Sequence, residues 1–315
     1  MHVHNDRIAV LIPCYNEAAT IATVVNDFAA ALPDAQIFVF DNNSTDSSAD
    51  IARKAGATVI SEYRQGKGNV IRSMFRSLEA DIYVLVDGDS TYPADQVHNL
   101  IEPIIAKRAN MTVGDRISTT YDLINHRRFH SFGNRLIRWL VNRLFASNLN
   151  DIMSGYRAFD RLFVKNFPVM SDEFEIETEM TIHALEKKFN IQEIPINYKD
   201  RPKGSTSKLN TFSDGFKIIK TIAFIFKNHK PMIFFGGTAI LLALLGVVIG
   251  AFPVYEYMTY SYVFKVPSAI LAAALETMAL LSLTSGVILD TIVRQHKETY
   301  ELHLSSYLSR TDINR

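Results

Sequence analysis

Short apolar runs alternate with longer amphipathic stretches through the N-terminal two thirds of the chain. The runs IAVLI (8–12), IFVF (37–40), ATVI (57–60), IYVLV (82–86) and NMTVG (110–114) are brief and rich in β-branched or aromatic residues, so they predict strands. Residues 17–31, 45–55, 67–78 and 95–107 place apolar side chains at helical spacing between them. Alternation of this kind predicts an α/β domain, with helices packed on a mainly parallel sheet. Ligands of such sheets gather beyond the carboxyl ends of the strands. The polar clusters PCYNE, DNNSTD, EYRQGKGN and DGDSTYP all follow strands.

The pattern then changes. Met232 to Phe252 carries no charge, and Val266 to Leu289 carries only Glu276. About 20 apolar residues at 1.5 Å rise span a hydrocarbon core of about 30 Å. Two such runs joined by Pro253–Lys265 predict a transmembrane hairpin with both outer ends on one side; a buried hairpin of a soluble protein is the alternative. Lys217, Lys220, Lys227 and Lys230 precede the pair, Arg294 and Lys297 follow it, and the connection holds only Lys265. The positive-inside bias therefore puts the N-terminal domain and the C-terminal tail in the cytoplasm. Glu276 within the second span needs a partner or a cavity.

Composition narrows the field. With 33 basic and 33 acidic residues the chain has no bias towards nucleic acid. A single cysteine, Cys14, precludes an internal disulfide and fits a reducing compartment. MHVHNDR lacks the pattern of a secretion signal. Neither a Walker sequence nor a dinucleotide fingerprint is present, since QGKGN lacks the Walker spacing and hydroxyl and the first strand turns through PCYNE without glycine. That weighs against kinases, P-loop NTPases and dehydrogenases.

YVLVDGDSTYP (83–93) ends an apolar run with two acids one residue apart. Such carboxylates repel each other unless a cation or solvent intervenes. A divalent metal satisfies this, and so does an exposed loop tip.

AVLIPCYNEAATI, FDNNSTDSS, RQGKGNVIRSM, VLVDGDSTYP, DIMSGYRAF, FEIETEM and IPINYKDRPKGSTSKLN occur in that order over residues 7–215. Together they resemble the family 2 glycosyltransferases, and within them the polyprenyl-phosphate sugar transferases similar to dolichyl-phosphate mannose synthase. The resemblance implies a GT-A (nucleotide-diphospho-sugar transferase) domain, Rossmann-like, over residues 1–210. An amphipathic interfacial helix (211–230) would follow, then two spans within 231–290 (about 232–252 and 266–289) and a helical cytoplasmic tail (291–315). It implies that Asp87 and Asp89, flanking Gly88, hold Mg²⁺ or Mn²⁺ against the diphosphate of a nucleotide-sugar, UDP being the commoner donor. Such a cation takes oxygen ligands and stabilises the leaving diphosphate. Pro13, Tyr15, Asn16, Glu17, Asp41 and Asn43 would hold base and ribose, although Asn16, Asn43 and Thr45 also suit helix capping. Lys67 would meet phosphate or stand as a solvated loop lysine.

On the acceptor side, a lipid phosphate has a second pKa of about 6, so it is largely a dianion at neutral pH and no strong general base is obligatory. Cations must keep the two phosphate-bearing substrates from repelling each other. By the resemblance Arg116, Arg157, Arg201 and Lys208 are the candidates, each of which alone reads as surface charge. Arg157 and Asp89 are also candidates for the chemistry itself. Asp151 is expected as an orienting or base-like carboxylate. Glu175, Glu177 and Glu179 belong to an acidic motif or simply favour a helix N-terminus.

Residues 212–230 place Phe212, Phe216, Ile219 and Ile222 opposite Lys217, Lys220 and Lys227, the pattern of a helix lying in a bilayer surface or packed on the soluble domain. His126 and His130 read as a polar helix face rather than a zinc site. RLIRW (135–139) loosely matches a box of processive polysaccharide synthases but precedes the acidic motif, whereas in those enzymes it follows. The expected activity is inverting sugar transfer from a nucleotide-sugar to a polyprenyl phosphate at the cytoplasmic face of a bilayer. A processive synthase or a silent membrane scaffold is the rival. Self-association stays open.

Overall fold

A computed structural model of the chain describes residues 7–118, 128–171, 176–199 and 230–313. The chain divides into two compact units, Met1–Gly215 and Phe216–Arg315.

In the first unit β1 (Ile8–Cys14), α1 (Ile21–Ala31), β2 (Gln36–Asp41), α2 (Ser48–Lys54), β3 (Thr58–Ser61), α3 (Lys67–Ser77) and β4 (Ile82–Leu85) follow in alternation. A 3₁₀ turn at Ala94–Gln96 leads into α4 (Val97–Ile105), β5 (Met111–Asp115) and α5 (Arg128–Phe145). Then come β6 (Arg157–Asp160), α6 (Arg161–Asn166), α7 (Ile176–Glu186) and β7 (Ile191–Pro195). The sheet runs β3-β2-β1-β4-β6-β5-β7. Only β6 is antiparallel to its neighbours β4 and β5.

Strand alternation sends Val10, Ile12, Val84 and Val86 into one core with Val24 and Phe28 of α1 and Leu100 and Ile104 of α4. The opposite face carries an aromatic cluster. Phe75 of α3 meets Tyr83 of β4 and Phe159 of β6 edge-on, at 6.4 and 5.6 Å between centroids, and Phe159 stacks on Phe163 of α6. Each fully buried side chain of this size contributes about 1.5–3 kcal/mol. Covered on both faces, the central strands read as unbroken apolar runs.

Two helices begin later than their periodicity predicts. Asn16 takes a left-handed φ of 54°, and the Glu17 amide donates to Ser48 Oγ at 2.8 Å, so α1 starts only at Ile21. The Thr45 amide donates to Asn16 Oδ1 and the Ser48 amide to Asp46 Oδ1, which delays α2 to Ser48.

The second unit holds α8 (Pro231–Tyr260) and α9 (Val266–Ile313), both long and apolar enough to cross a membrane. At 1.5 Å per residue they reach about 45 and 72 Å, beyond a hydrocarbon core of about 30 Å. Instead of ending near Phe252, α8 runs through Pro253, and α9 continues into the tail. Small residues bring the two together. A Cβ on Gly250 would stand 3.3 Å from Ala272, and one on Gly286 3.0 Å from Phe235. Glu276 lies over Gly246, where a Cβ would come within 2.6 Å of its Oε1.

Candidate functional site

The loops after β1, β2, β3 and β4 are stitched into one polar surface at the carboxyl ends of the parallel strands. The Asn16 amide donates to Ser44 Oγ at 3.0 Å, and Asn16 Oδ1 accepts from the Thr45 amide at 2.8 Å, joining the first loop to the second. Asn42 joins the second to the third: its Nδ2 donates to the carbonyls of Glu62 and Arg64, and its Oδ1 accepts from the Gly66 amide at 2.8 Å. Asn43 adds a bond from its Nδ2 to the Tyr63 carbonyl, also at 2.8 Å. Thr20 Oγ1 donates to the Gly88 carbonyl at 2.6 Å, tying the PCYNE segment to the DGD loop. Asn16, Asn43 and Ser90 all hold left-handed φ values near 55–60°, so backbone strain collects where the loops meet.

The side chains expected at this surface differ in how they are used. Asp41 is buried, and its Oδ2 accepts from the Ser44 amide. Its Oδ1 is the one buried side-chain oxygen or nitrogen without a hydrogen-bond partner among the described residues. A buried acceptor left unpaired costs about 1–3 kcal/mol, so this atom is positioned for an incoming N–H or O–H. Glu17 stands beside Gly88, where a Cβ would be 3.6 Å from its Cγ. Asn16 and Asn43 spend their side-chain amides on bonds between loops; neither caps a helix, the N-caps of α1 and α2 being Thr20 and Ser47. Cys14 is buried among Glu17, Asp41 and Asp46. Burial, reinforced by those carboxylates, pushes its thiol up to about 12 against the lowering effect of a hydrogen bond with Ser48, so it stays a neutral core residue.

Asp87 and Asp89 project from the end of β4. Asp89 is 3% exposed, and its Oδ1 accepts from Thr91 Oγ1 at 2.6 Å and from the Thr91 amide at 3.3 Å. Asp87 is more open, and its Oδ1 accepts from Lys67 Nζ at 2.5 Å. Lys67 Nζ also lies 2.6 Å from Glu177 Oε1 at the start of α7. Burial alone would lower the Lys67 pKa; the carboxylates of Asp87 and Glu177 outweigh it and hold the ammonium above its usual value. Lys67 is therefore not a solvated loop lysine.

These residues fit a divalent cation by their donor chemistry. Among the described residues no group of three or more His, Cys, Asp and Glu side chains is set to enclose a metal. A cation at Asp87 and Asp89 would draw the rest of its shell from phosphate oxygens and water, as Mg²⁺ does when it is held with substrate phosphates.

Arg116 and Asp151, expected in separate roles, form a pair. Arg116 Nε and Nη2 donate to Asp151 Oδ2 and Oδ1 at 2.6 and 3.0 Å. The amides of Arg116 and Met153 supply further bonds to this carboxylate, which is 2% exposed. Arg116 Nη1 reaches Tyr92 Oη at 3.3 Å, and the guanidinium lies 5.5 Å from the centre of the Tyr198 ring. Tyr92 in turn accepts from the Gly155 amide at 3.0 Å, and Glu193 accepts from the amides of Asn150 and Asp151. Both oxygens of Asp151 are thus committed to donors of Arg116 and the neighbouring amides.

Arg157 departs from the expectation of a phosphate ligand. It is 0% exposed, with Nε donating to the Ser154 carbonyl at 2.8 Å, Nη2 to the Ile152 carbonyl at 2.7 Å and Nη1 to Thr181 Oγ1 at 2.9 Å. Burial brings its pKa down to about 10, against the opposing pull of Glu177 and Asp151. A guanidinium with no accessible surface meets no solvent-borne phosphate. Arg157 instead fixes the 151–157 loop that carries Asp151 and packs Gly155 against Asp87. Arg201, Lys208, Glu175, His126 and all of the expected interfacial helix except Lys230 lie outside the described residues.

The family model described as Glycosyl transferase family 2 matches residues 9–167. Glycosyltransferase AglJ of Haloferax volcanii is 30% identical over 294 residues, covering 93% of this chain and 96% of that protein. Dolichyl-phosphate hexose transferase of the same organism is 28% identical over 217 residues, covering 69% of this chain and 92% of that protein. Among solved structures, glucosyl-3-phosphoglycerate synthase from Mycobacterium tuberculosis, in complex with Mn²⁺, uridine diphosphate and phosphoglyceric acid, matches the fold with a TM-score of 0.59 at 20% identity. That match covers 71% of this chain and 78% of the other.

Proposed function

The chain belongs to glycosyl transferase family 2, and from that premise we propose that it moves a sugar from UDP to the phosphate of a polyprenyl carrier at the cytoplasmic face of a membrane. The observation that carries this reading is the meeting, at one strand-end surface, of the Asp87/Asp89 pair with the unpartnered Asp41 Oδ1. A hydrogen-bond acceptor awaiting a nucleobase or ribose donor stands with carboxylates suited to a diphosphate-bound cation. A relative named as a dolichyl-phosphate hexose transferase and a fold neighbour crystallised with UDP and Mn²⁺ support the choice of acceptor, donor and metal.

In this mechanism Asp41 and Glu17 receive base and ribose, and Asp87 and Asp89 would hold Mg²⁺ or Mn²⁺. The cation supplies charge stabilisation to the departing nucleoside diphosphate. Arg116, oriented by Asp151, presents its guanidinium to the acceptor phosphate, with Arg201 and Lys208 as further cations. A phosphate oxygen attacks the anomeric carbon from the face opposite the nucleotide. The new C–O bond forms as the bond to the diphosphate breaks, the electron pair leaves with UDP, and configuration inverts. The dianionic acceptor is its own nucleophile, so no residue need remove a proton. The apolar hairpin holds the enzyme at the bilayer that delivers the carrier.

The test is transfer itself. Purified protein, Mn²⁺, labelled UDP-sugars and polyprenyl phosphate should yield label in the organic phase, and Asp89→Ala should remove it. Label in a polymer instead would establish the processive alternative, and no transfer from any donor would establish the silent scaffold.

A further inference from the structure

We infer that Lys67 is a resident cation that stands in at Asp87 before the donor arrives, and that Glu177 is the positioning residue that anchors it. The inference rests on the reading of Asp87 and Asp89 as metal-holding carboxylates and concerns how that site is loaded.

One ammonium serves two carboxylates. Lys67 Nζ is 2.5 Å from Asp87 Oδ1 and 2.6 Å from Glu177 Oε1. The lysine side chain is 10% exposed and that of Glu177 8%, so the lysine carries no ordinary surface charge. The other oxygen of Asp87 is confined too: a Cβ on Gly155 would stand 2.5 Å from Oδ2. Asp87 is thus held between the tethered ammonium and the Gly155 backbone, and the carboxylate most open to a divalent ion already has a cation on it.

A bare divalent cation must therefore approach an oxygen already paired with positive charge, and like charges at such separations repel strongly in a partly buried site. A nucleoside diphosphate changes the balance, because its negative charge compensates the metal and Lys67 together. Lys67 then keeps one partner, Glu177, and turns its charge towards the diphosphate. The consequence is coupling: the metal binds weakly by itself and tightly with the nucleotide, each raising the affinity for the other by the same factor. Glu177 keeps the displaced ammonium beside the diphosphate instead of releasing it to solvent.

Mn²⁺ binding to the full-length protein, followed by electron paramagnetic resonance with and without UDP, tests this without reference to turnover. Lys67→Met should bind Mn²⁺ at least 10-fold more tightly than the wild type in the absence of UDP, and UDP should improve its affinity less. Glu177→Gln should weaken donor-free Mn²⁺ binding several-fold, because the ammonium then serves Asp87 alone. Lys67→Met leaves the half-buried Asp87 and the buried Glu177 uncompensated, so the double variant Lys67→Met/Glu177→Met, which leaves only Asp87 of the triad, is measured beside it and should also bind Mn²⁺ more tightly than the wild type. Unchanged or weaker donor-free binding in both lysine variants, with Asp87→Asn abolishing it, would make the triad a structural ion pair and overturn the inference while leaving the metal site standing. Wild-type Mn²⁺ affinity in Asp87→Asn would instead remove the metal reading on which the inference rests.

Discussion

Asp151→Asn separates an orienting carboxylate from a general base. The native carboxylate takes two charge-assisted bonds from Arg116, at 2.6 and 3.0 Å, while 2% exposed. The neutral amide keeps one acceptor oxygen and puts an N–H₂ against the guanidinium, so one of these bonds is lost and the other weakened. Charge-assisted bonds contribute about 1.5–3 kcal/mol each and neutral ones about 0.5–1.5, so the variant should be destabilised by roughly 2–4 kcal/mol. For a domain of this size each kcal/mol shifts the melting temperature by about 2–4 °C, which predicts a fall on the order of 10 °C.

The kinetic signature differs from that of a lost base. A general base typically contributes about 10²–10⁴-fold, and its removal abolishes the pH limb it controls. If Asp151 only orients Arg116, kcat/KM falls about tenfold at saturating donor, mainly through the acceptor KM. Its rise with pH then still follows the second ionisation of the lipid phosphate, near 6. Rates of transfer to polyprenyl phosphate between pH 5 and 8, beside thermal melting of the same preparations, give both readouts. A variant with near-native melting temperature, a kcat lowered about 10³-fold and no limb near pH 6 would refute the orienting role.

Three further outcomes follow from the geometry. Arg157→Met should lower the melting temperature, because the carbonyls of Ile152 and Ser154 lose a buried donor, at about 1–3 kcal/mol for each left unsatisfied; a raised acceptor KM with unchanged melting would restore its reading as a phosphate ligand. Asp41→Asn removes the charge on the buried unpartnered oxygen, so the donor-free protein should be as stable as the wild type or more so while UDP binds at least tenfold more weakly in calorimetry. Cys14, its thiol held up to about 12 by burial, should alkylate far more slowly in the native than the unfolded protein at pH 8; as pH rises past the unfolded thiol's value of about 8.5, the unfolded state alone loses its proton, so stability should decline from there towards pH 12.

The parallel half of the sheet was legible because strands covered on both faces read as near-continuous apolar runs, as β1, β4 and the IFVF centre of β2 do. The antiparallel insertion was not. β6 is four residues long and opens with Arg157, a residue that in a one-dimensional reading belongs to solvent or to a ligand. What buries it is a set of carbonyls supplied by its own turn and a hydroxyl from α7, none of which leaves a periodic mark. The carboxyl ends stand out for a related reason: an acid directly after an apolar strand breaks the run. Asp87 and Asp89 stand out in this way, whereas Asp41 is named through the family resemblance.

Pairings between charges resist such reading. Lys67 and Glu177 belong to motifs each intelligible by itself, as do Arg116 and Asp151, and nothing in either motif specifies the other. Yet each pairing changes the role of its members, because a charge buried beside its counter-ion no longer acts as an isolated acid, base or ligand. Arg157 and Lys67 depart from a one-dimensional reading because each is buried beside a partner that its own motif does not specify. Coulomb interactions in a low-dielectric interior depend on distances that only the folded chain sets, whereas hydrophobic burial is written into residue type and spacing. Candidate catalytic charges named from sequence should therefore be sorted first by whether another charge neutralises them, and only then by motif.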